Sequence, residues 1–318
     1  MYIISKENVR KGGKMFYKFE YFDVRPKLNK KKIFVLIFIM LVIIALSIYG
    51  AIKLAEYENE KQIAIEQARL EKIRLEEERK EQERIAEEKK KEEKRLKIEN
   101  PFTEEQMQAI ENIYNVEEKR VFLTFDDGPT QAVTPFVLDL LKQENIKATF
   151  FVLGNRAKVN PELIRREYEE GHYIANHGYT HKYSQIYRNS QTVLDEYNYT
   201  ESCIQEALGN PNYHSKVFRF PGGSQGGYYK TIKSNAKQFL RQNGIVSLDW
   251  NALSRDAEGA RTKEAILQSV IETVADKKSV VILMHDSSDK ILTYETLPDV
   301  IKYLRDNGYV FKTLYDIL

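Results

Sequence analysis

The chain has 318 residues, 42% hydrophobic and 30% charged, with a formal net charge of +2. That length holds one sizeable core plus appendages, and the near-neutral balance gives no case for a nucleic-acid partner. Cys203 is the only cysteine, which excludes an intramolecular disulfide but not an extracellular location. It falls in a helical pattern and reads as a small buried hydrophobe.

The near-neutral total hides strong segregation. Residues 1–32 carry ten Lys or Arg against three Asp or Glu and read as a basic tail. Within them Arg10-Lys11-Gly12-Gly13-Lys14-Met15 has the look of a translated ribosome-binding site, which leaves Met1 and Met15 as alternative starts. Residues 33–52 hold no charge. As a helix that run reaches roughly 30 Å, the thickness of a bilayer's hydrocarbon core. It reads as a retained transmembrane helix. Signal-peptide cleavage near Ala45-Leu46-Ser47 is the alternative, disfavoured because the apolar run continues past it. Lys27, Lys30, Lys31 and Lys32 flank its N-terminal side. The positive-inside rule therefore puts the tail in the cytoplasm and the C-terminal bulk outside a bacterial cell membrane.

Residues 53–100 follow, dominated from 56 to 99 by Glu, Lys and Arg with no Pro or Gly. Glu71/Arg74, Glu76/Lys80, Glu87/Lys91 and Glu92/Arg95 sit at helical neighbour spacing. The apolar positions Ile63, Leu70, Ile73, Ile85 and Leu96 do not sustain a heptad, so the segment reads as a charge-laced single-helix stalk. A coiled-coil homodimer through the stretch from Ile63 to Leu75 is the alternative.

From residue 101 to 318 the composition becomes that of a globular domain. Strand-like runs are expected at 121–125, 148–153, 173–176, 217–220, 245–248, 279–284 and 309–312. Helical patterns at 134–143, 161–170, 192–208, 229–242, 262–275 and 297–306 lie between most of them. The alternation predicts a parallel α/β fold, naturally closed as a barrel. Asp126, Asp127, His177, Arg219, Asp249 and His285 then fall at or just after strand C-terminal ends, where such barrels build active sites. Adjacent carboxylates at the end of a strand point in different directions, so one can bind a metal while the other takes a proton. With His177 and His181 they suggest an Asp plus two His facial metal site and metal-assisted hydrolysis.

Five ordered motifs carry a resemblance. Thr124-Phe125-Asp126-Asp127-Gly128, His177-Gly178-Tyr179-Thr180-His181, Arg219-Phe220-Pro221-Gly222-Gly223, Ser247-Leu248-Asp249-Trp250 and Leu283-Met284-His285 resemble motifs one to five of the polysaccharide deacetylases. These are the NodB-like enzymes of carbohydrate esterase family 4, and the likeness runs from about residue 121 to 318. It implies a distorted (β/α) barrel of the NodB type, here preceded by one transmembrane helix and a long charged helical stalk. It also implies roles: Asp126 as general base; Asp127, His177 and His181 as metal ligands; His285 as general acid. Arg219 and Asp249 would form a buried pair that tunes Asp126. Trp250, Leu283, Pro221 and Gly222 would form the substrate pocket, with Trp250 and Leu283 against the acetyl methyl.

Three departures from the family pattern carry expectations. Gly178 replaces a Ser or Thr and should cost its loop a side-chain hydrogen bond. Val246 replaces an Asp and removes one route for tuning the base. Gly222 replaces an aromatic residue, keeping the N–H but losing a stacking surface. Among the tyrosines, Tyr183, Tyr187, Tyr228 and Tyr229 are candidates for stacking on sugar rings. The expected protein is a membrane-anchored hydrolase removing N-acetyl groups from an extracellular glycan, N-acetylglucosamine in peptidoglycan first. Chitin-like, poly-N-acetylglucosamine or O-acetylated xylan substrates and a non-catalytic wall-binding scaffold are the alternatives. The metal expected is Zn²⁺, with Co²⁺, Mn²⁺ or Fe²⁺ also tolerated by such a donor set.

Overall fold

In a computed structural model that describes residues 2–23, 30–99 and 102–318, the segment read as a tail contains an antiparallel hairpin. Strands β1 (Tyr2–Lys11) and β2 (Lys14–Asp23) close over Gly12 and Gly13, whose φ angles of +62° and +84° suit a two-residue turn. The run of cations masked the turn signal in the sequence. Helix α1 (Lys30–Glu99) is continuous through the expected boundary between apolar span and stalk. It is long and apolar enough to cross a membrane, and none of its apolar window is buried. Arg74 meets Glu71 at 2.7 Å and Lys80 meets Glu76 at 3.2 Å, as their spacing predicts. Lys27, the boundary at residues 100 and 101, and the side chains of Lys91 and Arg95 lie outside the described residues.

The chain divides into two units, Met1–Ile85 and Ala86–Leu318. The second begins its globular part with α2 (Glu104–Glu111), capped reciprocally by Thr103 and Gln106. The elements that follow are β3 (Arg120–Asp126), α3 (Thr134–Gln143), β4 (Thr149–Val152), α4 (Gly154–Val159), α5 (Pro161–Glu169), β5 (Tyr173–Asn176), α6 (Tyr183–Ile186) and α7 (Ser190–Leu208). Then come β6 (Val217–Phe218), α8 (Lys230–Gln242), β7 (Val246–Ser247), β8 (Ala252–Leu253), α9 (Lys263–Val274), β9 (Ser279–His285), α10 (Ile291–Asp306), β10 (Val310–Phe311) and a final 3₁₀ turn, Leu314–Asp316. Helix α10 starts six residues before the expected 297, and Pro298 lies inside it.

The strands run parallel in the order β7-β6-β5-β4-β3-β9-β8, with β10 also pairing β3. This is the distorted barrel expected, and its longest pairing joins β3 to β9. Every residue of β3 is buried, as a parallel strand covered on both faces requires. Phe122, Phe125, Phe150, Val281 and Met284 belong to the main core, and half-buried Cys203 packs against it. Arg241 of α8 holds Glu104 and Glu111 at 2.6 and 2.7 Å, tying α2 to the barrel wall.

Candidate active site

Register sets the first relation: Asp126 and His285 are direct partners at the C-terminal ends of β3 and β9. Beyond Asp126 the chain turns through Asp127, whose φ of +73° lies in the left-handed region, and His181 has a φ of +56°. Such conformations cost a non-glycine residue of order 1–3 kcal/mol and persist where surrounding structure over-determines them. A side chain at 128 would collide with the buried Asp286 carboxylate, which accepts a hydrogen bond from Thr134 Oγ1 at 2.5 Å. Burial lifts Asp286 to about 7, with the nearby Asp127 and Asp126 charges adding to it.

Donor atoms of Asp127, His177 and His181 lie within 4.8 Å of one another. Asp127 Oδ1 stands 3.3 Å from His181 Nε2 and 3.5 Å from His177 Nε2. That oxygen is buried with no hydrogen-bond partner among the described residues, an arrangement that a shared cation would satisfy. His177 Nδ1 lies 2.8 Å from the Arg219 carbonyl, which fixes the tautomer leaving Nε2 free to ligate. Burial pushes His177 down to about 3, so it is neutral, as a ligand must be. The three residues fit a divalent cation.

Asp126 is 2% exposed, and Arg219, at 0%, donates to it from Nη1 at 2.7 Å. The same guanidinium donates to Thr124 Oγ1, the Leu248 carbonyl and the Asp249 carbonyl, and lies 3.8 Å from the Phe151 ring centroid. Burial holds the Asp126 carboxyl above the ordinary carboxylate range, with Arg219 and His285 opposing. Asp249 differs from expectation. It offers Arg219 only its backbone carbonyl, while its carboxylate accepts from Ser224 N at 2.9 Å and Ser224 Oγ at 2.6 Å. Ser224 supplies that carboxylate's donors, while four of the guanidinium's five N–H groups go to Thr124, Asp126 and the two backbone carbonyls. Val246 packs into the core and contributes nothing polar here.

His285, expected as the general acid, has a partner that sequence reading missed. His285 Nδ1 lies 2.8 Å from Asp256 Oδ1, and Asp256 Oδ2 accepts from the His285 N–H and Thr293 Oγ1. Burial alone would lower the imidazole, but Asp256, bonded and charged, raises it to about 9. Asp256 lies on the loop after β8, outside any motif, and no local signal marks it.

The loop between the metal-type histidines is held despite Gly178. Glu196 of α7 accepts from the N–H groups of Tyr179 and Thr180, each at 2.7 Å, and from Thr180 Oγ1 at 2.8 Å. Asn176 Oδ1 accepts from Gly178 N at 2.9 Å. The lost side-chain bond is thus replaced from a distant helix, and Gly178's φ of +80° explains the glycine.

Asp126, Asp127, His177, His181, Tyr183, Gly222, Trp250, Leu283, Asp256 and His285 line one cavity of about 280 Å³. Pro221 does not line it; the residue is buried beside the cavity, and its carbonyl accepts from Tyr187 Oη.

Residues 114–244 match the family model described as polysaccharide deacetylase. A peptidoglycan-N-acetylglucosamine deacetylase of Bacillus cereus is 33% identical over 70% of this chain and 79% of the relative. A putative polysaccharide deacetylase of Bacillus subtilis, YheN, is 32% identical over 70% of this chain and 77% of the relative. Among solved structures, a Streptococcus mutans CE4 esterase superposes with a TM-score of 0.60 at 31% identity, covering 69% of this chain and 97% of that one. With this fold, and with that identity to relatives it spans over most of their length, the chain belongs to the polysaccharide deacetylases of carbohydrate esterase family 4.

Proposed function

We propose that the protein is a metal-dependent hydrolase that removes N-acetyl groups from an extracellular glycan, with N-acetylglucosamine of peptidoglycan as its substrate. One juxtaposition carries this. Asp126 and His285 are register partners on adjacent strands, and both face the cavity lined by Asp127, His177 and His181. The name of the Bacillus cereus relative supports peptidoglycan over other polymers.

Asp127, His177 and His181 are the assigned ligands, with Zn²⁺ first and Co²⁺, Mn²⁺ or Fe²⁺ tolerated. A divalent cation held there supplies Lewis-acid polarisation of the acetamide carbonyl. Asp126, oriented by Arg219, takes a proton from the attacking water. The Gly222 N–H, which has no acceptor among the described residues, donates to the carbonyl oxygen as charge develops on it. His285, held and charged by Asp256, passes a proton to the departing nitrogen, so that acetate and a free amine separate. Trp250 and Leu283 enclose the acetyl methyl.

In this proposal residues 33–52 anchor the chain, residues 1–32 stay cytoplasmic, and residues 53–100 act as a spacer for the catalytic domain, 101–318, outside. Full-length protein in detergent should release acetate from N-acetylated peptidoglycan and N-acetylglucosamine oligomers, stop with a chelator and recover with Zn²⁺. Release from O-acetylated xylan alone would reassign the substrate, and release from none would end the enzymatic proposal. Protease added to intact cells should remove the catalytic domain while sparing the tail; full protection would reverse the topology.

A further inference from the structure

One stretch of the cavity's lining, its floor, is Gly222, which carries no side chain. Gly222 and Gly223, the second of which lines the neighbouring cavity, have φ angles of +73° and +75°, in the left-handed region that favours glycine. A wall stands on either side. A Cβ at 222 would lie 2.5 Å from the Tyr183 hydroxyl and 3.0 Å from the ring carbon bearing it; a Cβ at 223 would lie 3.2 Å from the Trp250 ring. The space a side chain at either position would need is taken by these two aromatic rings.

Tyr183 opens α6, two residues after His181. Its ring tilts against those of His181 and Tyr187, with centroids 5.7 and 5.8 Å apart. Tyr187 is buried and tethered by its hydroxyl to the Pro221 carbonyl at 2.7 Å, so Tyr183 rests on a fixed partner. Tyr183 itself is 41% exposed and lines the cavity. Its hydroxyl makes no hydrogen bond among the described residues. The other stacking candidates are placed differently: Tyr187 is buried, Tyr228 is 94% exposed, and Tyr229 packs against the smaller core. Gly222 and Trp250 also line a neighbouring cavity of about 470 Å³ with Gln225, Lys237 and Asp249, so a chain crossing the floor has room to continue.

A pyranose offers C–H faces to aromatic rings and hydroxyls around its rim, and a tyrosine with an unused hydroxyl serves both. We infer that Tyr183 is the sugar-positioning residue of this enzyme: its ring takes one face of the N-acetylated sugar over the Gly222–Gly223 floor, opposite Trp250, and its hydroxyl donates to a sugar hydroxyl. This rests on the glycan substrate proposed above. The missing side chain at 222 is then the space that lets Tyr183 reach the substrate.

Trp250 is the only tryptophan in the chain, so intrinsic fluorescence reports on this cavity. The full-length, metal-loaded Asp126→Asn protein, which should not turn over, is titrated with an N-acetylglucosamine tetrasaccharide. Adding Tyr183→Ala should raise Kd by about tenfold with metal content unchanged, and Tyr183→Phe should recover the share due to the ring. In the otherwise unaltered enzyme, Tyr183→Ala should raise KM more than it lowers kcat, the pattern of lost ground-state binding. A Kd within about twofold of the parent would overturn the inference. So would a weakened Kd that comes with loss of metal, since Tyr183 would then only prop His181. If the parent protein neither responds to the oligosaccharide nor, with Asp126 restored, releases acetate, the glycan proposal fails and takes this one with it.

Discussion

Asp126→Asn should leave a metal-loaded protein whose kcat is lower by about a hundred- to ten-thousand-fold, the usual worth of a positioned general base. The substitution preserves shape, and the asparagine oxygen can still accept from Arg219 Nη1, now 2.7 Å from the carboxylate. What disappears is the ability to hold a proton during attack. It also removes the counter-charge of a guanidinium that is 0% exposed, and breaking a buried pair costs up to about 3–5 kcal/mol. Thermal unfolding should therefore shift downward while metal content stays stoichiometric. His181→Ala should show the reverse pattern, losing metal with its ligand while the Asp126–Arg219 pair remains. Metal analysis, melting temperature and acetate release on the three proteins separate these effects. An Asp126→Asn enzyme that turns over at the wild-type rate would remove Asp126 from the mechanism.

Asp256→Asn should move the alkaline limb of the pH–rate profile down by about one to three pH units, the usual reach of a close opposite charge. A general acid works only while protonated, and His285 is raised to about 9 by Asp256 against the lowering effect of burial. Wild-type activity should therefore persist until the pH approaches that value. Without the carboxylate, burial dominates and His285 loses its proton earlier, so the rate at neutral pH falls as well. Stability follows the same direction. Because the folded-state pKa lies above the ordinary histidine value of 6.5, the pair stabilises the fold fully below that value. The stabilisation is lost as pH rises through about 9, and Asp256→Asn should abolish that dependence. Profiles of kcat/KM against pH for both proteins test the assignment; coincident alkaline limbs would refute it.

Much of this site was legible because its residues stand at the ends of strands. In β3 the largely apolar run of a buried parallel strand and the Asp126-Asp127 pair at its C-terminal end are local facts, and so is the spacing of His177 and His181. Parallel pairing then brings Asp126 opposite His285 by register alone. The glycine at 178 was legible too, but not its consequence, because Glu196 reaches the loop from a helix that begins after residue 189.

The sequence by itself determined the strand–helix alternation, the apolar and charged segments that precede it, and the order of the chemical groups along the chain. Periodicity and charge act between near neighbours, so they survive reading in one dimension. Only the tertiary structure decided which partner answers each buried charge. Asp256 supports His285, Arg219 pairs with Asp126 rather than with the Asp249 carboxylate, and Tyr183 fills the space over Gly222. Those choices depend on where loops cross above the barrel, and a buried group takes whichever donor or acceptor the crossing brings within about 3 Å.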